Sequence, residues 1–330
     1  MSDEVWVFAE HQDGKARKVT LELLGAGREL ADRLNVKFGG LVLGSGTDTL
    51  AEQVASYADK VHQYDDPALE QYNSDFYLQV ISEMVADETP KILLAGATFL
   101  AKDLFPRVAA RLNTGIAMDC LSLDVGNDGR LVARRPLFGG KVLADVISQA
   151  EKPQIVLVRP NTFPVPTQGG TTKGEVLRQQ VQVDTSRVKL EVLEVVRAAR
   201  ERLDLTEAEI IVTGGRGIQR PENFALLEDL AEVLNATVGT TRAVVDSGWR
   251  PHSDQVGKSG KTVSPRLYFA IGVSGAVQHV MGMDTSNVVV AINKDPRAPM
   301  FQYADYGIVA DAFAILPVLT EELKKELGRG

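Results

Sequence analysis

The C-terminal half of the chain contains five apolar runs that are each followed at once by glycines, hydroxyl groups or charged side chains. After the run LYFAI, the segment GVSGAVQH at residues 272 to 279 places Gln278 and His279 in the first turn of a predicted helix. The other four runs end in TGGRG, VGTTR, INKD and VAD. The polar side chains at these ends are Thr213, Arg216, Thr240, Thr241, Arg242, Ser274, Gln278, His279, Asn293 and Asp311.

Together these groups have the chemistry of a nucleotide site. The parallel strands of a doubly wound sheet bring their carboxyl ends to one edge, where such sheets bind ligands. Glycines such as Gly214 and Gly275 let the backbone approach a ligand, and helix N-termini attract phosphate. Arg216 and Arg242 add positive charge. Each feature alone is more typical of a turn, a helix cap or a surface ion pair, so the prediction of a dinucleotide cradle depends on all five ends.

The loop DQVGKSGKTV looks like a phosphate-binding loop but lacks its spacing. The Walker pattern requires a glycine five positions before the GK pair, and this chain has His252 and Gln255 there. The loop also leads into a predicted strand, SPRLYFAI, instead of opening a helix. We therefore predict that it is no ATPase site, although Ser259 can present a hydroxyl group to a ligand.

The elements that must position these residues alternate between strands and helices. Runs such as EVWVFAE, FGGLVLG and KILLAGA predict buried parallel strands in the first 160 residues, with Pro106 kinking or starting the helix after the last of them. Short alternating strands with a turn at NDG follow Asp119. The second half begins again at EIIVTGG, followed by a helix over PENFALLEDLAEVLN and strands at ATVGTTRAVV, RLYFAI, NVVVAIN and YGIVAD.

The sequence therefore predicts an α/β protein of two domains, each a mostly parallel doubly wound sheet with helices on both faces. Residues 160–207 are rich in Pro, Gly, Thr and charge, which is typical of an inter-domain connection with its boundary near Arg197. We assign residues 1–197 to an N-terminal domain that includes the extended connection 160–197. Residues 198–330 form a C-terminal ligand-binding domain.

The composition argues against several classes of function. With 36 Lys and Arg against 44 Asp and Glu, the formal net charge is −8, which disfavours binding of nucleic acid or anionic membranes. Cys120 is the single cysteine, and the four histidines lack metal-ligand spacing. No apolar run approaches the ~20 residues of a membrane helix, and MSDEVWVFAE is unlike a signal or transit peptide. We expect a cytoplasmic protein or a mature mitochondrial matrix protein.

The segments LYFAIGVSGAVQHVMGM and VVVAINKDPRAPMFQYADYGIVAD resemble the C-terminal signature of the alpha subunit of electron transfer flavoproteins. The resemblance extends upstream through VTGGRG, TTRAVVDSGW and DQVGKSGK, and AKDLFPRVAARLNTGIAMDC is similar to the family's N-terminal domain. It implies a heterodimer in which the first domain packs on a beta subunit. The second domain is then an FAD-binding domain that holds one FAD in an extended pose.

The resemblance also implies which residues contact the FAD. Arg242 lies closest to the flavin ring, Ser259 offers its hydroxyl to flavin N5, and the VGKS segment lines the cofactor. The loop from Ser274 to His279 surrounds the FAD linker and the pyrimidine side of the ring. The complete set of expected contacts, the last three on the adenosine half, is Arg216, Thr241, Arg242, Gln255, Val256, Gly257, Lys258, Ser259, Ser274, Gly275, Ala276, Val277, Gln278, His279, Asn293, Asp311 and Ala312.

In this interpretation Arg242, Ser259 and His279 tune the flavin, and no residue has a catalytic or metal-binding role. Reduction places negative charge at the N1 and O2 edge of a flavin, and donors aimed at that edge stabilise it as an oxyanion hole does. His279, on the first turn of a helix, is predicted to donate there, reinforced by the positive helix end. Gln278 and Ser274 hold the chain of the FAD.

Several functions are compatible with this sequence. The first is a carrier that passes electrons from flavin dehydrogenases, such as the acyl-CoA dehydrogenases of fatty acid beta-oxidation, to a quinone oxidoreductase or similar acceptor. The second is the alpha subunit of an electron-bifurcating protein whose beta subunit holds a second FAD and oxidises NADH. A nicotinamide-binding dehydrogenase or transhydrogenase domain is disfavoured because GxGxxG is absent. A non-redox assembly subunit would be expected to lose the Arg and His positions, which are present.

Overall fold

The computed structural model describes residues 3–138, 140–149, 152–167, 173–196 and 203–328. The chain divides into two compact units, Met1–Arg197 and Ala198–Gly330. The predicted boundary near Arg197 itself lies outside the described residues.

The described part of the first unit contains twelve strands and four α-helices. In chain order they are β1 (Val5–Phe8), β2 (His11–Gln12), β3 (Lys15–Ala16), α1 (Lys18–Leu34), β4 (Phe38–Gly44), α2 (Asp48–Ala55), β5 (Lys60–Asp65), α3 (Ser74–Glu88), β6 (Ile92–Gly96), α4 (Phe99–Arg111), β7 (Ile116–Cys120), β8 (Ser122–Val125), β9 (Leu131–Leu137), β10 (Val142–Ile147), β11 (Gln154–Val158) and β12 (Glu175–Gln179).

Seven of these strands form a parallel sheet in the order β12-β5-β4-β1-β6-β11-β7. Helices α1 and α2 bury their apolar sides on one face, and α3 and α4 bury theirs on the other. Strands β8, β9 and β10 form a separate antiparallel sheet, in which the predicted turn at Asn127–Gly129 joins β8 to β9.

Two details of the first unit differ from the sequence prediction. Within the stretch read as a connection, β12 joins the sheet as an edge strand beside β5; its pairing partner lies more than 100 residues earlier, which no local pattern can indicate. Helix α4 starts at Phe99, with the Thr98 side chain accepting a hydrogen bond from the amide of Ala101. Pro106 therefore lies inside this helix and does not start it.

The described part of the second unit contains five strands and four α-helices. They are β13 (Ile210–Gly214), α5 (Ala225–Leu234), β14 (Thr237–Thr240), α6 (Arg242–Asp246), β15 (Leu267–Ile271), α7 (Val277–Val280), β16 (Val288–Asn293), β17 (Tyr306–Val309) and α8 (Ala312–Glu326).

The five strands form a parallel sheet in the order β14-β13-β15-β16-β17, so the predicted α/β class is confirmed. Helices α5 and α8 cover one face, where Leu227, Leu230 and Leu316 are buried. The other face is covered mainly by loop residues, among them Val256 and Val263. The loop that contains Val256 is thereby anchored against the sheet.

One predicted strand of the second unit is too long. The run ATVGTTRAVV ends as a strand at Thr240, and α6 begins at Arg242. Its β-branched residues favour a strand on propensity alone, but Val244 is buried in the core from the helix instead. Helix α6 therefore places residues 242 to 246 at the carboxyl edge of the sheet.

A buried histidine makes the first unit sensitive to acid. The His62 side chain on β5 is fully buried, its ring centre lies 4.7 Å from that of Trp6, and neither ring nitrogen has a hydrogen-bond partner among the described residues. Burial, assisted by Lys60 and opposed by Glu4, lowers the pKa of His62 to about 4. The ring is therefore neutral in the folded protein at neutral pH.

We predict that His62 makes unfolding easier as the pH falls. The unfolded histidine binds a proton below about pH 6.5 while the folded one does not, so stability present above that pH decreases toward about pH 4. Between about pH 7 and about pH 5 the free energy of unfolding should fall about 2 kcal/mol more in the parent chain than in His62→Leu. Urea unfolding followed by Trp6 fluorescence in a Trp249→Phe background measures this difference.

His252 is exposed, so the variant His252→Gln serves as the matched control. It should keep the full acid sensitivity of the parent chain. Equal pH slopes for the parent chain and His62→Leu would contradict the prediction.

Candidate functional site

A cavity of about 920 Å³ opens at the carboxyl ends of β13, β14, β15 and β16 in the second unit. This is within the range of about 300–1,000 Å³ for small-molecule and cofactor sites. Its position follows from the parallel sheet, because all four strands point their carboxyl ends to the same edge. The five apolar runs of the sequence are these four strands and the edge strand β17.

Most of the predicted cofactor-binding residues line this cavity. From the strand ends these are Arg216, Thr241, Arg242, Ser274, Ala276, Gln278, His279 and Asn293, and from the loop after α6 they are Gln255, Val256, Gly257, Lys258 and Ser259. The structure thus brings together residues spread over nearly 80 positions of the chain. Their individual contacts with a cofactor stay predictions.

Four predicted residues lie outside the lining of the cavity: Gly275, Val277, Asp311 and Ala312. Asp311 caps α8, where its carboxylate accepts a hydrogen bond from the amide of Phe313 at 2.9 Å, and Ala312 is buried in the core. Gly275 packs against the backbone of Met300, and the Val277 side chain is exposed. Contact of these four residues with a more extended part of a cofactor stays a prediction.

Other lining residues were absent from the predicted set: Gly215, Gly217, Ala243, Asp246, Gly272, Val273, Asp295, Ala298 and Pro299. Several are neighbours of predicted residues in TGGRG, GVSG and INKDP, so adjacency alone could have identified them. Asp246 directly follows the run ATVGTTRAVV, which was predicted as a strand, so its position in the sequence offered no reason to place it beside Arg242. Once α6 starts at Arg242, Asp246 follows one helical turn later and lies 3.4 Å from its guanidinium group.

The ends of β13 and β15 approach each other backbone to backbone. The amide of Gly215 donates to the carbonyl of Ile271 at 2.9 Å, and the amide of Gly217 donates to that of Gly272 at 3.1 Å. A Cβ atom on Gly215 would lie 2.3 Å from the Gly272 carbonyl oxygen. Gly215, Gly217 and Gly272 are therefore required by this contact, and all three line the cavity.

The loop from Gln255 to Lys261 is held in place at several points. The amide of Val256 donates to Thr240 at 2.9 Å, that of Lys258 donates to Gln278 at 2.7 Å, and that of Lys261 donates back to Gln255 at 2.7 Å. The Lys261 ammonium group lies 2.8 Å from the Asp204 carboxylate. That lysine is engaged within the protein, which supports the prediction that the loop is not a Walker loop.

Ser259 is oriented by a buried amide. The Gln255 side chain is buried, and its Nε2 donates to Ser259 Oγ at 3.0 Å. A hydroxyl group has one donor hydrogen and two acceptor positions. Because Gln255 occupies an acceptor position, the Ser259 hydroxyl hydrogen remains available to a ligand in the cavity.

The cavity is positive within an acidic chain. Its lining contains Arg216, Arg242 and Lys258 against Asp246 and Asp295, a formal balance of three minus two, or +1, whereas the chain carries −8. The Arg242 side chain is 70% exposed, and its pair with Asp246 is an exposed contact of 3.4 Å, which neutralises little of its charge. The arrangement suits a ligand with phosphate groups.

His279 lies in the first turn of α7, as the sequence predicts, and its ring has partners within the protein. The residue lines the cavity but is 7% exposed, and both of its ring nitrogens are paired within the protein. Nε2 lies 2.9 Å from the hydroxyl of Tyr268, and Nδ1 lies 3.1 Å from the carbonyl oxygen of Val256. Donation to a flavin would require one of these two bonds to break.

Comparison with known proteins agrees with this geometry. Residues 5–184 match the family model of the electron transfer flavoprotein domain, and residues 204–284 match that of the electron transfer flavoprotein FAD-binding domain. The chain belongs to the electron transfer flavoprotein alpha subunit family. Its second unit is accordingly the FAD-binding domain, its role is that of an electron carrier rather than a classical enzyme, and its partner is a beta subunit.

Several curated relatives align with nearly the whole of this chain. An electron transfer flavoprotein subunit alpha from Thermoanaerobacterium thermosaccharolyticum is 42% identical, with 98% of each chain covered. A protein FixB from Clostridium saccharobutylicum is 46% identical over 97% of this chain and 96% of its own. An acryloyl-CoA reductase electron transfer subunit beta from Anaerotignum propionicum is 38% identical over 98% of this chain and 96% of its own.

The residues of the cavity fit an FAD. The two arginines and Lys258 supply positive charge for a diphosphate, and the Ser259 hydroxyl can donate to a ring nitrogen. No group of three or more His, Cys, Asp or Glu side chains in the described residues is placed to hold a metal ion. No helix in the described ranges is long and apolar enough to cross a membrane.

We predict that the Ser259 hydroxyl raises the flavin midpoint potential. Ser259→Ala removes a donor to a ring nitrogen that gains electron density when the first electron is added, so the potential of the first one-electron reduction should fall by on the order of 20–60 mV while FAD stays bound. Potentiometric titration of the FAD-loaded heterodimer measures the change.

Ser259→Thr keeps the hydroxyl and should restore most of the potential, and Ser253→Ala, outside the cavity lining, should leave it unchanged. A potential in Ser259→Ala equal to that of the parent protein would exclude this role of the hydroxyl.

Proposed function

We propose that this chain, as a heterodimer with a beta subunit, carries electrons on one FAD bound in the cavity of the second unit. It receives electrons from flavin dehydrogenases, such as those that act on acyl-CoA, and passes them to a quinone oxidoreductase or similar acceptor. The observation that carries the proposal is the positively lined cavity of about 920 Å³ at the carboxyl edge of the second sheet. Its elements lie largely within the part that matches the FAD-binding family model.

The bound FAD supplies the redox chemistry, and the residues of the chain hold it and adjust its charge balance. Arg216 and Arg242 offset the negative charge of a diphosphate and of a reduced ring. Lys258 contributes a third cation from a loop that its own amide ties to Gln278. Because the loop is already held in place, little reorganisation accompanies a change of flavin charge, which favours rapid electron transfer.

The name of one relative is consistent with a second candidate, the electron-bifurcating alpha subunit. The relative from Anaerotignum propionicum is named an electron transfer subunit of acryloyl-CoA reductase. By its name, that protein transfers electrons as part of a reductase. A carrier that serves a reductase needs an electron source, and NADH oxidised at a second FAD on the beta subunit is one such source. The discriminating site would lie on the beta subunit, and this chain's cavity is compatible with both candidates.

The two candidates make different predictions for the purified heterodimer. A simple carrier should hold one flavin per heterodimer, and anaerobic NADH should leave its visible flavin absorbance largely unchanged. A bifurcating protein should hold two flavins and bleach rapidly with NADH. An absorbance spectrum with flavin quantified per heterodimer, before and after NADH, separates them. A heterodimer that holds no flavin even after FAD is added would contradict both candidates.

A further inference from the structure

The loop of residues 255–261 reaches the cavity on two arms that are held differently. The incoming arm, residues 255–257, is joined to the sheet because the amide of Val256 donates to the carbonyl of Thr240 at 2.9 Å. At the tip of the loop, the amide of Lys258 donates to a backbone carbonyl of α7 at 2.7 Å. These backbone bonds fix the first half of the loop against two other elements of the second unit.

The outgoing arm, residues 260–262, depends on a side chain. Its backbone is bonded back to the incoming arm, since the amide of Lys261 donates to the Gln255 carbonyl at 2.7 Å and the amide of Gly257 donates to the Lys261 carbonyl at 3.1 Å. Within the described ranges, the one hydrogen bond or ion pair that joins these three residues to a residue outside the loop runs from Lys261 Nζ to the Asp204 carboxylate at 2.8 Å.

Asp204 is a rigid partner for this lysine. It lies in the turn before β13, where its Oδ1 accepts hydrogen bonds from the amide and the hydroxyl of Thr206 at 2.8 and 2.7 Å. The other carboxylate oxygen, Oδ2, faces Lys261. Leu205 and Ala208 in the same turn are buried in the core that the loop covers. The carboxylate is therefore held in place independently of the loop.

The pair is shielded from solvent, unlike the ion pairs at the surface. The Lys261 side chain is 13% exposed and that of Asp204 is 30% exposed, whereas the nearby pair of Arg266 and Glu209 is 77% and 51% exposed at 3.7 Å. Burial alone would raise the pKa of Asp204, but the bonds from Lys261 and Thr206 outweigh it and hold that pKa below its ordinary value. Removing one partner of a shielded pair leaves the other charge unpaired, whereas an exposed pair contributes little.

We propose that Asp204 and Lys261 are positioning residues that hold the outgoing arm of the loop and thereby keep Lys258 and Ser259 in place beside the FAD. The inference rests on the proposed function, because Lys258 and Ser259 line the cavity assigned to the FAD. Neither member of the pair lines that cavity, so both act on the cofactor through the loop. The bonds between the two arms close the loop on itself, and the ion pair joins its outgoing arm to the turn before β13.

Amide exchange in the heterodimer prepared without FAD tests the local effect. In Asp204→Asn the new side chain can still accept the bonds from Thr206, but it presents no negative charge to Lys261. The bonds between the arms should then open more often, so the amides of Gly257 and Lys261 should exchange about 5- to 10-fold faster. The amide of Val256, bonded to β14, should keep its rate. Fragmentation mass spectrometry resolves these single amides.

The potential of the first one-electron reduction, measured in the FAD-loaded heterodimer, tests the effect on the cofactor. Asp204→Asn and Lys261→Met should both lower it, because Lys258 and Ser259 are then less well placed to stabilise added charge. Both variants should also bind FAD about 3- to 10-fold more weakly. Lys261→Arg keeps the positive charge and should retain most of the parent potential.

Glu209→Gln is the matched control. Glu209 directly precedes β13 and its partner Arg266 directly precedes β15, so this exposed pair joins the same two segments without touching the loop. The control variant should have the exchange rates, the FAD affinity and the potential of the parent protein.

The proposal and the proposed function fail in different ways. Unchanged exchange at Gly257 and Lys261 in both Asp204→Asn and Lys261→Met would overturn the proposal, and so would an unchanged potential in both. Equal acceleration across the whole second unit would overturn it too, because the pair would then serve folding alone. A parent heterodimer that binds no FAD would contradict the proposed function instead, and exchange without FAD would still decide whether the pair holds the loop.

Discussion

The contact between the ends of β13 and β15 is the constraint on which the site depends. Backbone meets backbone where Gly215 and Gly217 reach the carbonyls of Ile271 and Gly272, and a side chain on Gly215 would have no room there. This close backbone contact forms part of the cavity wall, and the turns after both strands begin there. The arginine in TGGRG and the residues of GVSGAVQH then line opposite parts of one space.

A second layer of fixed contacts completes the wall. The loop that begins at Gln255 lies across the carboxyl edge because its backbone is bonded to Thr240 on one side and to Gln278 on the other. Gln255 then orients the Ser259 hydroxyl, and the Val256 carbonyl orients His279. Ser259 and His279 are thus held in place by bonds within the protein before a ligand enters the cavity. Such preorganised groups can stabilise charge on a flavin without moving when the flavin is reduced.

Much of this site was predictable from local sequence, and the rest depended on tertiary structure. Apolar runs ended by glycine located the ends of β13 and β15, because burial and turn chemistry act over a few residues. Asp246 was missed because the run before it was predicted as a strand, whereas α6, with Val244 buried in the core, brings Asp246 back to Arg242. Tyr268 was not among the predicted site residues, and its bond to His279 arises only when the turn after β15 folds back. The strand β12 likewise requires a distant partner.

Hydrogen–deuterium exchange of the heterodimer, with and without FAD, tests the location of the cofactor site most directly. Our account predicts that FAD slows exchange in the segments that line the cavity, residues 215–217, 241–246, 255–259 and 272–279. The first unit should show no comparable change. Protection concentrated in the first unit, or unchanged exchange in the loop from Gln255 to Ser259, would contradict the account.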